Sequence, residues 1–132
     1  MIDMTVEPFE FLVGRPVEQI WVWGPIRLVF EIGDGTPEVF VDVIDLTLDM
    51  AGKEVALDAF ENRDQAGVVL QLLHERLVRA FAEDGVLHLS FEGGATLKSF
   101  PGDGYESWTV AGNGKTFQCT GGGEVISSGE QQ

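Results

Sequence analysis

The stretch Gly-Pro-Ile-Arg-Leu-Val-Phe at residues 24–30 returns, altered, as Gly-Val-Leu-His-Leu-Ser-Phe at residues 85–91. Both copies alternate apolar side chains, the pattern of a strand that buries one face. In both places an arginine and a valine come before the stretch, and an acidic residue, a glycine turn and a threonine come after it. The similarity covers residues 14–36 and 75–96. It predicts one supersecondary unit used twice, a β-hairpin entered from a short helical turn.

The rest of the chain also reads mostly as strands, because runs of β-branched and aromatic residues are bounded by turn residues. Strands are expected at residues 17–23, 26–32, 39–48, 54–57, 78–82, 86–91, 96–100, 107–111, 115–120 and 124–127. One segment, residues 64–77, has helical spacing and begins at Asp64, a residue type whose side chain caps helices. This helix is expected to bury Val69, Leu70 and Leu73.

These elements predict an α+β fold: a mostly antiparallel β-sheet or half-open barrel built from two repeated hairpin units, with one main helix packed on it. At 132 residues with 44% apolar side chains, residues 1–132 are expected to form a single domain with a substantial core. The tails, residues 1–8 and 128–132, are expected to be loose.

The charge is the strongest signal in the composition. The net charge is −14 with eight Lys and Arg, which argues against nucleic acids and anionic membranes as partners. Residues 33–64 hold nine acids against two bases, a net −7. Such a span can simply solubilise the protein, or it can steer a basic protein partner.

Three further features of the sequence predict the cellular compartment of the protein. No apolar run is long enough to span a membrane, and the amino-terminal residues lack the layout of a signal peptide. The lone cysteine, Cys119, excludes an internal disulfide. A cytoplasmic protein is expected.

Two tryptophans are the candidate contact residues. Trp21 and Trp23 share one face of a strand while Ile20 and Val22 share the other, so this strand is apolar on both faces. We favour burial of the tryptophans beneath the helix or the amino-terminal segment; an exposed aromatic ridge is the alternative and would serve as a binding anchor. The candidate partner-binding residues are Trp21, Trp23, Asp42, Asp45 and Asp49.

The sequence lacks complete motifs for catalysis or metal binding, because the required residues do not have the required spacing. Gly114-Lys115-Thr116 resembles the end of a phosphate-binding loop but lacks the first glycine, and Asn113-Gly114 is a favoured hairpin turn. The two histidines and Cys119 have no metal-ligand spacing, and a Gly-x-Ser-x-Gly nucleophile motif is absent. We therefore predict no catalytic residue, no metal and no cofactor, with Cys119 as a small buried apolar residue.

Four short motifs carry a resemblance. Over residues 12–127 the chain resembles a family of small uncharacterised bacterial proteins, through Gly14-Arg15-x-Val17, the Asp34-Gly35-Thr36 turn, Tyr105-Glu106-x-Trp108 and a glycine run at residues 121–123. The resemblance implies no catalytic residues. In size and acidity the chain is also similar in type to immunity proteins, which neutralise toxic effectors.

Three functions are therefore open. The first is a non-enzymatic acidic protein-binding module, such as an immunity-type inhibitor of a basic toxin. The second is a small-ligand carrier with a cavity between sheet and helix, and the third is an enzyme using a carboxylate pair within residues 42–64. An enclosed apolar cavity would favour the carrier, and an acidic surface would favour the binding module. The sequence gives no indication of the oligomeric state.

Overall fold

The computed structural model describes residues 9–31, 38–102, 107–112, 114–120 and 122–129. Eleven strands and two 3-10 helices occur in these residues. The strands are β1 (Gln19–Val22), β2 (Ile26–Glu31), β3 (Val39–Val43), β4 (Asp45–Met50), β5 (Lys53–Asp58), β6 (Leu77–Glu83), β7 (Val86–Phe91), β8 (Thr96–Ser99), β9 (Trp108–Gly112), β10 (Lys115–Cys119) and β11 (Val125–Gly129). The helices are η1 (Glu10–Leu12), before β1, and η2 (Arg63–Leu72), before β6.

The strands form two antiparallel sheets around a common core. One has six strands in the order β1-β2-β3-β9-β10-β11, and the other has five in the order β5-β4-β8-β7-β6. The prediction of mostly antiparallel β-structure is confirmed, whereas the described strands do not close into a barrel.

The chain passes from sheet to sheet at Ile44. The sequence predicted one strand over residues 39–48, but the structure divides it into β3 and β4, which belong to different sheets. Val41 and Val43 are buried in the first sheet, and Leu46 and Leu48 are buried in the second. The step of three residues between Val43 and Leu46 breaks the period of two, so the chain changes direction there. Each sheet therefore contains strands from both halves of the sequence.

The segments that lead into β1 and β6 pair with each other. Pro16 and Arg76 form an antiparallel bridge. The backbone N–H of Val17 donates to the Glu75 carbonyl at 3.0 Å, and that of Leu77 donates to the Arg15 carbonyl at 3.0 Å. This pairing joins the two sheets where each hairpin begins.

The two hairpins have equivalent strands but different turns. Strands at Ile26–Glu31 and Val86–Phe91 are confirmed, and both are the middle strand of a three-stranded antiparallel meander. The repeat in the sequence also predicts that Gly24-Pro25 and Asp84-Gly85 are matching turns, and this prediction is wrong. Val22 pairs with Ile26 across three residues, whereas Glu83 pairs with Val86 across two.

The main helix differs from its prediction in length, type and buried face. It spans Arg63–Leu72, with Asn62 rather than Asp64 at its cap and no side-chain capping bond. It buries Ala66, Val69 and Leu72, while Leu70 is 56% and Leu73 is 38% exposed. The 3-10 helix has three residues per turn, so side chains three apart share a face. The prediction used the α-helical period of 3.6 and therefore chose the wrong face after Val69.

The Gly85 backbone carbonyl links the two sheets beside a cluster of buried aromatic rings. The Phe9 ring packs edge-on against Trp108 and Phe117, at centroid distances of 6.1 and 5.1 Å. The indole N–H of buried Trp108 donates to the Gly85 carbonyl at 2.9 Å. The Cys119 thiol lies 3.4 Å from the same oxygen and is fully buried, as the sequence predicted.

The turn between β6 and β7 demands glycine at residue 85. Asp84 and Gly85 both have positive φ angles, 54° and 79°, as a two-residue hairpin turn requires. A Cβ on Gly85 would stand 2.7 Å from the Gly123 Cα and carbonyl oxygen. Gly52 has a similar φ of 81° with nothing within 4 Å of the position of an added Cβ. A substitution at Gly52 therefore measures the cost of the positive φ alone, without a clash.

We expect Gly52→Ala to lower the free energy of unfolding by about 1 kcal/mol. We expect Gly85→Ala to lower it by about 2 kcal/mol or more, because the clash adds to the same strain. Urea unfolding of both variants measures the difference. Equal losses would mean that residues 85 and 123 are not in close contact.

Candidate functional site

The outer face of the six-stranded sheet carries a row of side chains that crosses every strand. The strand registers place these residues directly opposite one another. In order from β1 to β11 they are Trp21, Arg27, Asp42, Thr109, Gln118 and Ile126. The row begins with an aromatic ring, has an ion pair at its second and third positions, and continues with uncharged side chains.

The ion pair joins β2 to β3. Arg27 Nε donates to Asp42 Oδ1 at 2.8 Å, and Arg27 Nη2 donates to Asp42 Oδ2 at 3.0 Å. The side chains are 17% and 13% exposed. The hydrogen bonds to Asp42 raise the pKa of Arg27, against the opposing effect of burial. Asp42 therefore forms an intramolecular ion pair. This distinguishes it from Asp45 and Asp49, the other two predicted acids.

Aromatic rings surround the same guanidinium. Arg27 Cζ lies 3.8 Å from the ring centroid of Phe40, 5.3 Å from that of Trp23 and 5.5 Å from that of Trp21, distances typical of cation–π contacts. Trp21 is 39% and Trp23 is 58% exposed, so the favoured interpretation of burial is wrong. Ile20, on the other face of β1, packs against the core and leaves the tryptophans outside.

A cleft of about 390 Å³ opens on this face beside the row. Trp23 and Phe60 are its exposed aromatic residues, Phe60 being 54% exposed, and the buried Trp108 also lines it. The Phe60 Cε1 atom lies 3.6 Å from the position of a Cβ on Gly24, which places this ring against the β1–β2 turn. The cleft is lined by Trp23, Pro25, Asp42, Ile44, Phe60, Ser107, Trp108, Thr109 and Gln118.

The other predicted acids form a strip on the β4–β5 hairpin. Asp45 lies opposite Asp58, and Asp49 lies opposite Glu54. All four lie on the outer face of the five-stranded sheet, because Leu46, Leu48 and Leu57 take the alternate inward positions. We call these four residues the acidic strip.

Within the strip, Asp45 and Asp58 are like charges in direct opposition. Burial raises the pKa of Asp45, and the negative charge of Asp58 adds to the effect. Asp58 Oδ1 accepts the backbone N–H groups of Phe60 at 2.8 Å and Glu61 at 3.0 Å, so this carboxylate holds the turn that presents Phe60. Neither Asp45 nor Asp58 is among the described residues that line the cleft.

The raised pKa of Asp45 predicts a pH dependence. The folded state holds its proton more tightly than the unfolded state, so stability is lost as pH rises from the ordinary value of 3.8 through the raised one. We expect Asp45→Asn to stabilise the protein at pH 7 by about 0.5 kcal/mol and to reduce this loss. Denaturant unfolding between pH 3 and 7 measures it. Glu92→Gln, at an exposed acid, is the control, and an equal effect there would contradict the prediction.

The other half of the same outer face carries two cations, Arg79 and Lys98, and one acid, Glu83, around His88. The Phe81 and His88 rings stack at 4.4 Å, with Arg79 Cζ 4.3 Å from the Phe81 centroid. Lys98 lies opposite His88 on β8. Burial, and then the charge of Lys98, lower the pKa of His88. The acidic strip therefore occupies only the β4–β5 side of this sheet.

A family model of unknown function, DUF6188, matches residues 10–128. The chain belongs to this family. No curated protein and no solved structure matches the chain. The family match spans the whole cleft, the ion pair and the acidic strip.

Sequence reasoning missed two residues of the site. The alternating pattern of its strand places Arg27 only on an outward face, although an arginine flanked by aromatic residues on neighbouring strands is a signal for a stacked guanidinium. Phe60 follows a short strand and gave no periodic signal. The motif residues Tyr105 and Glu106, the turn residues 34–36, Asn113, and the tails 1–8 and 130–132 lie outside the described residues.

The described residues contain no group of three His, Cys, Asp or Glu side chains placed to hold a metal ion. His74 is exposed after η2, His88 stacks on Phe81, and Cys119 is buried in the core. Within the same residues, no helix is long and apolar enough to cross a membrane.

Proposed function

We propose that this protein is a non-enzymatic binding module for a basic protein, of the kind that an immunity-type inhibitor of a basic toxin represents. The observation that carries the proposal is the exposed ring cluster of Trp21, Trp23 and Phe60 on the outer face of the six-stranded sheet. Exposed aromatic residues around a cleft are the usual energetic centre of a protein interface.

Charge supports a basic partner. The net charge is −14, and the acidic strip lies on β4 and β5, which are joined to the ring cluster through Ile44 and through Asp58. A field of this sign accelerates encounter with a cationic protein, and the rings then slow its release. A cytoplasmic location is part of the proposal and is supported by the single, buried cysteine.

A small-ligand carrier is the second candidate. The cleft volume of about 390 Å³ lies within the range of ligand pockets. A second cleft of about 320 Å³ lies between the β4–β5 hairpin and η2, where Val55 and Val68 line it. Both clefts open to solvent, which favours recognition of a protruding group over storage of an enclosed ligand.

The repeated hairpin unit is also a proposal. In both meanders a ring on the first strand stacks with a cationic or ionisable side chain directly opposite on the second, Trp21 with Arg27 and Phe81 with His88. The third strand then differs, since Asp42 lies opposite Arg27 and Lys98 lies opposite His88. If both units have the same architecture, replacing residues 23–25 with the two-residue Asp-Gly turn of the second unit leaves the fold intact. Loss of cooperative unfolding would contradict the proposal.

The test begins with capture of a basic protein from the native host by the wild-type chain, together with inspection of the neighbouring genes for a toxin. Association and dissociation rates are then measured with the captured protein at low and high salt. The test variant carries Asp45→Asn, Asp49→Asn and Glu54→Gln. Asp42 is left intact because its neutralisation would break the internal ion pair.

We expect the triple variant to associate on the order of tenfold more slowly at low salt, with a smaller change in dissociation. A charge-matched control carries Glu83→Gln, Glu92→Gln and Glu124→Gln, at exposed acids outside the strip. Salt-independent association, or equal slowing in both variants, would contradict steering by the strip. Binding through the Phe81–His88 face alone would contradict the proposed function.

A further inference from the structure

The cleft beside Trp23 has a chemistry that selects one kind of group. Its walls are the exposed Trp23 and Phe60 rings, and the described residues that line it include one carboxylate, Asp42, and no Lys, Arg or His. Resting on the proposed function, we infer that this cleft is a receptor for an arginine side chain of the basic partner. The partner's guanidinium would enter between the two rings.

The protein already binds one guanidinium on the same surface. Arg27 lies within cation–π distance of Trp21, Trp23 and Phe40, and it reaches Asp42 through two hydrogen bonds. Trp23 therefore contacts a cation on its Arg27 side, while its exposed surface lines the cleft. A second guanidinium on that surface would use the same attraction between a cation and a ring face.

Asp42 retains acceptor capacity towards the cleft. Each of its two oxygens accepts one hydrogen bond from Arg27. An ionised carboxylate offers about four lone-pair sites, so further N–H groups can bind to the same oxygens. In the row, Asp42 lies between Arg27 and Thr109, and Asp42 and Thr109 line the cleft whereas Arg27 does not. Its carboxylate is therefore placed to accept hydrogen bonds from both cations.

The remaining polar lining favours a guanidinium over an apolar side chain. Thr109 and Gln118 offer acceptor oxygens beside Asp42, and the Ser107 hydroxyl already accepts the Gly102 backbone N–H. An apolar occupant would cover these groups without bonding to them, which carries a desolvation cost. A guanidinium presents five N–H donors in one plane, more than the three of a lysine ammonium, and its flat faces stack on rings.

Direct titration tests the inference without the natural partner. The probe is N-acetyl-arginine amide, followed through the indole N–H signals in a nitrogen–proton correlation spectrum, with the Trp23 signal assigned from Trp23→Phe. N-acetyl-citrulline amide has the same shape without the charge, and N-acetyl-leucine amide is the apolar comparison. We expect saturable shifts of the Trp23 signal with the arginine probe and at least tenfold weaker binding of the other two.

Variants locate the site. We expect Phe60→Ala to weaken binding of the arginine probe about three- to fivefold. Leu70→Ala is the matched control, because Leu70 and Phe60 are 56% and 54% exposed and only Phe60 lines the cleft. Equal binding of citrulline, tighter binding of leucine, or an unchanged affinity in Phe60→Ala would overturn the inference.

The two proposals can fail separately. If a basic protein binds the wild type and Phe60→Ala equally well, the arginine receptor is wrong and the binding module stands. If the arginine probe binds as expected and no basic protein partner is captured, the proposed function is wrong and the cleft is a site for free guanidinium compounds.

Discussion

Replacing Leu72 with alanine is expected to lower the free energy of unfolding by about 2–5 kcal/mol. Leu72 is fully buried at the end of η2, on the face that it shares with Ala66 and Val69. Truncation removes apolar contacts and leaves a cavity that the surrounding strands cannot fill without moving. Urea unfolding followed by tryptophan fluorescence gives the midpoint and the slope, and the slope is expected to stay unchanged.

Leu70→Ala is the control for Leu72→Ala. The two variants delete the same atoms two positions apart, but Leu70 is 56% exposed. We expect it to change stability by less than about 0.5 kcal/mol. If Leu70→Ala were the more damaging variant, the helix would bury the α-helical face that the sequence suggested and not the 3-10 face.

The helix shows why a correct element can be given the wrong face. Apolar residues at 66, 69, 70 and 73 fit a period of 3.6, and those at 66, 69 and 72 fit a period of 3. Gly67 and the β-branched Val68 and Val69 weaken α-helical propensity in the middle of the segment. Sequence spacing allowed both periods, and tertiary packing selected the tighter helix.

Strand positions were predictable because the period of two is a local property. Sheet membership was not, because the change of sheet at Ile44 depends on which distant strand pairs with each side. Leu46 pairs with Ser99, whereas Val43 pairs with Trp108, and nothing near Ile44 in the sequence specifies either partner. The same limit applies to the turns: similar flanking strands are joined by three residues in one hairpin and by two in the other.

The sequence predicted several residues of the candidate site but not how the fold arranges them. Trp21, Trp23, Asp45 and Asp49 lie on outer faces, but Asp42 is bound to Arg27. That ion pair joins residues 15 positions apart through a register that only the folded sheet defines. The exposure of the tryptophans likewise depends on which layers cover each sheet.

The aromatic anchor is expected to have the largest effect on binding. For the captured basic partner, we expect Trp23→Ala to accelerate dissociation about 30-fold or more, the scale of an interface hot spot, and to change association little. Trp23 is the most exposed large apolar side chain among the described residues and lines the cleft. Trp21→Ala is expected to follow the same direction, since Trp21 also contacts Arg27.

Ile126→Ala is the matched control for the anchor, because Ile126 is 45% exposed and ends the same row on β11 but is not among the residues that line the cleft. We expect it to leave dissociation unchanged. Surface-based kinetics at high salt, where steering by charge is screened, isolates the contribution of the rings. Equal acceleration in Ile126→Ala would mean that the partner covers the whole sheet face without a centre at Trp23. Unchanged dissociation in Trp23→Ala would remove the aromatic cluster from the interface and leave the acidic strip as its only support.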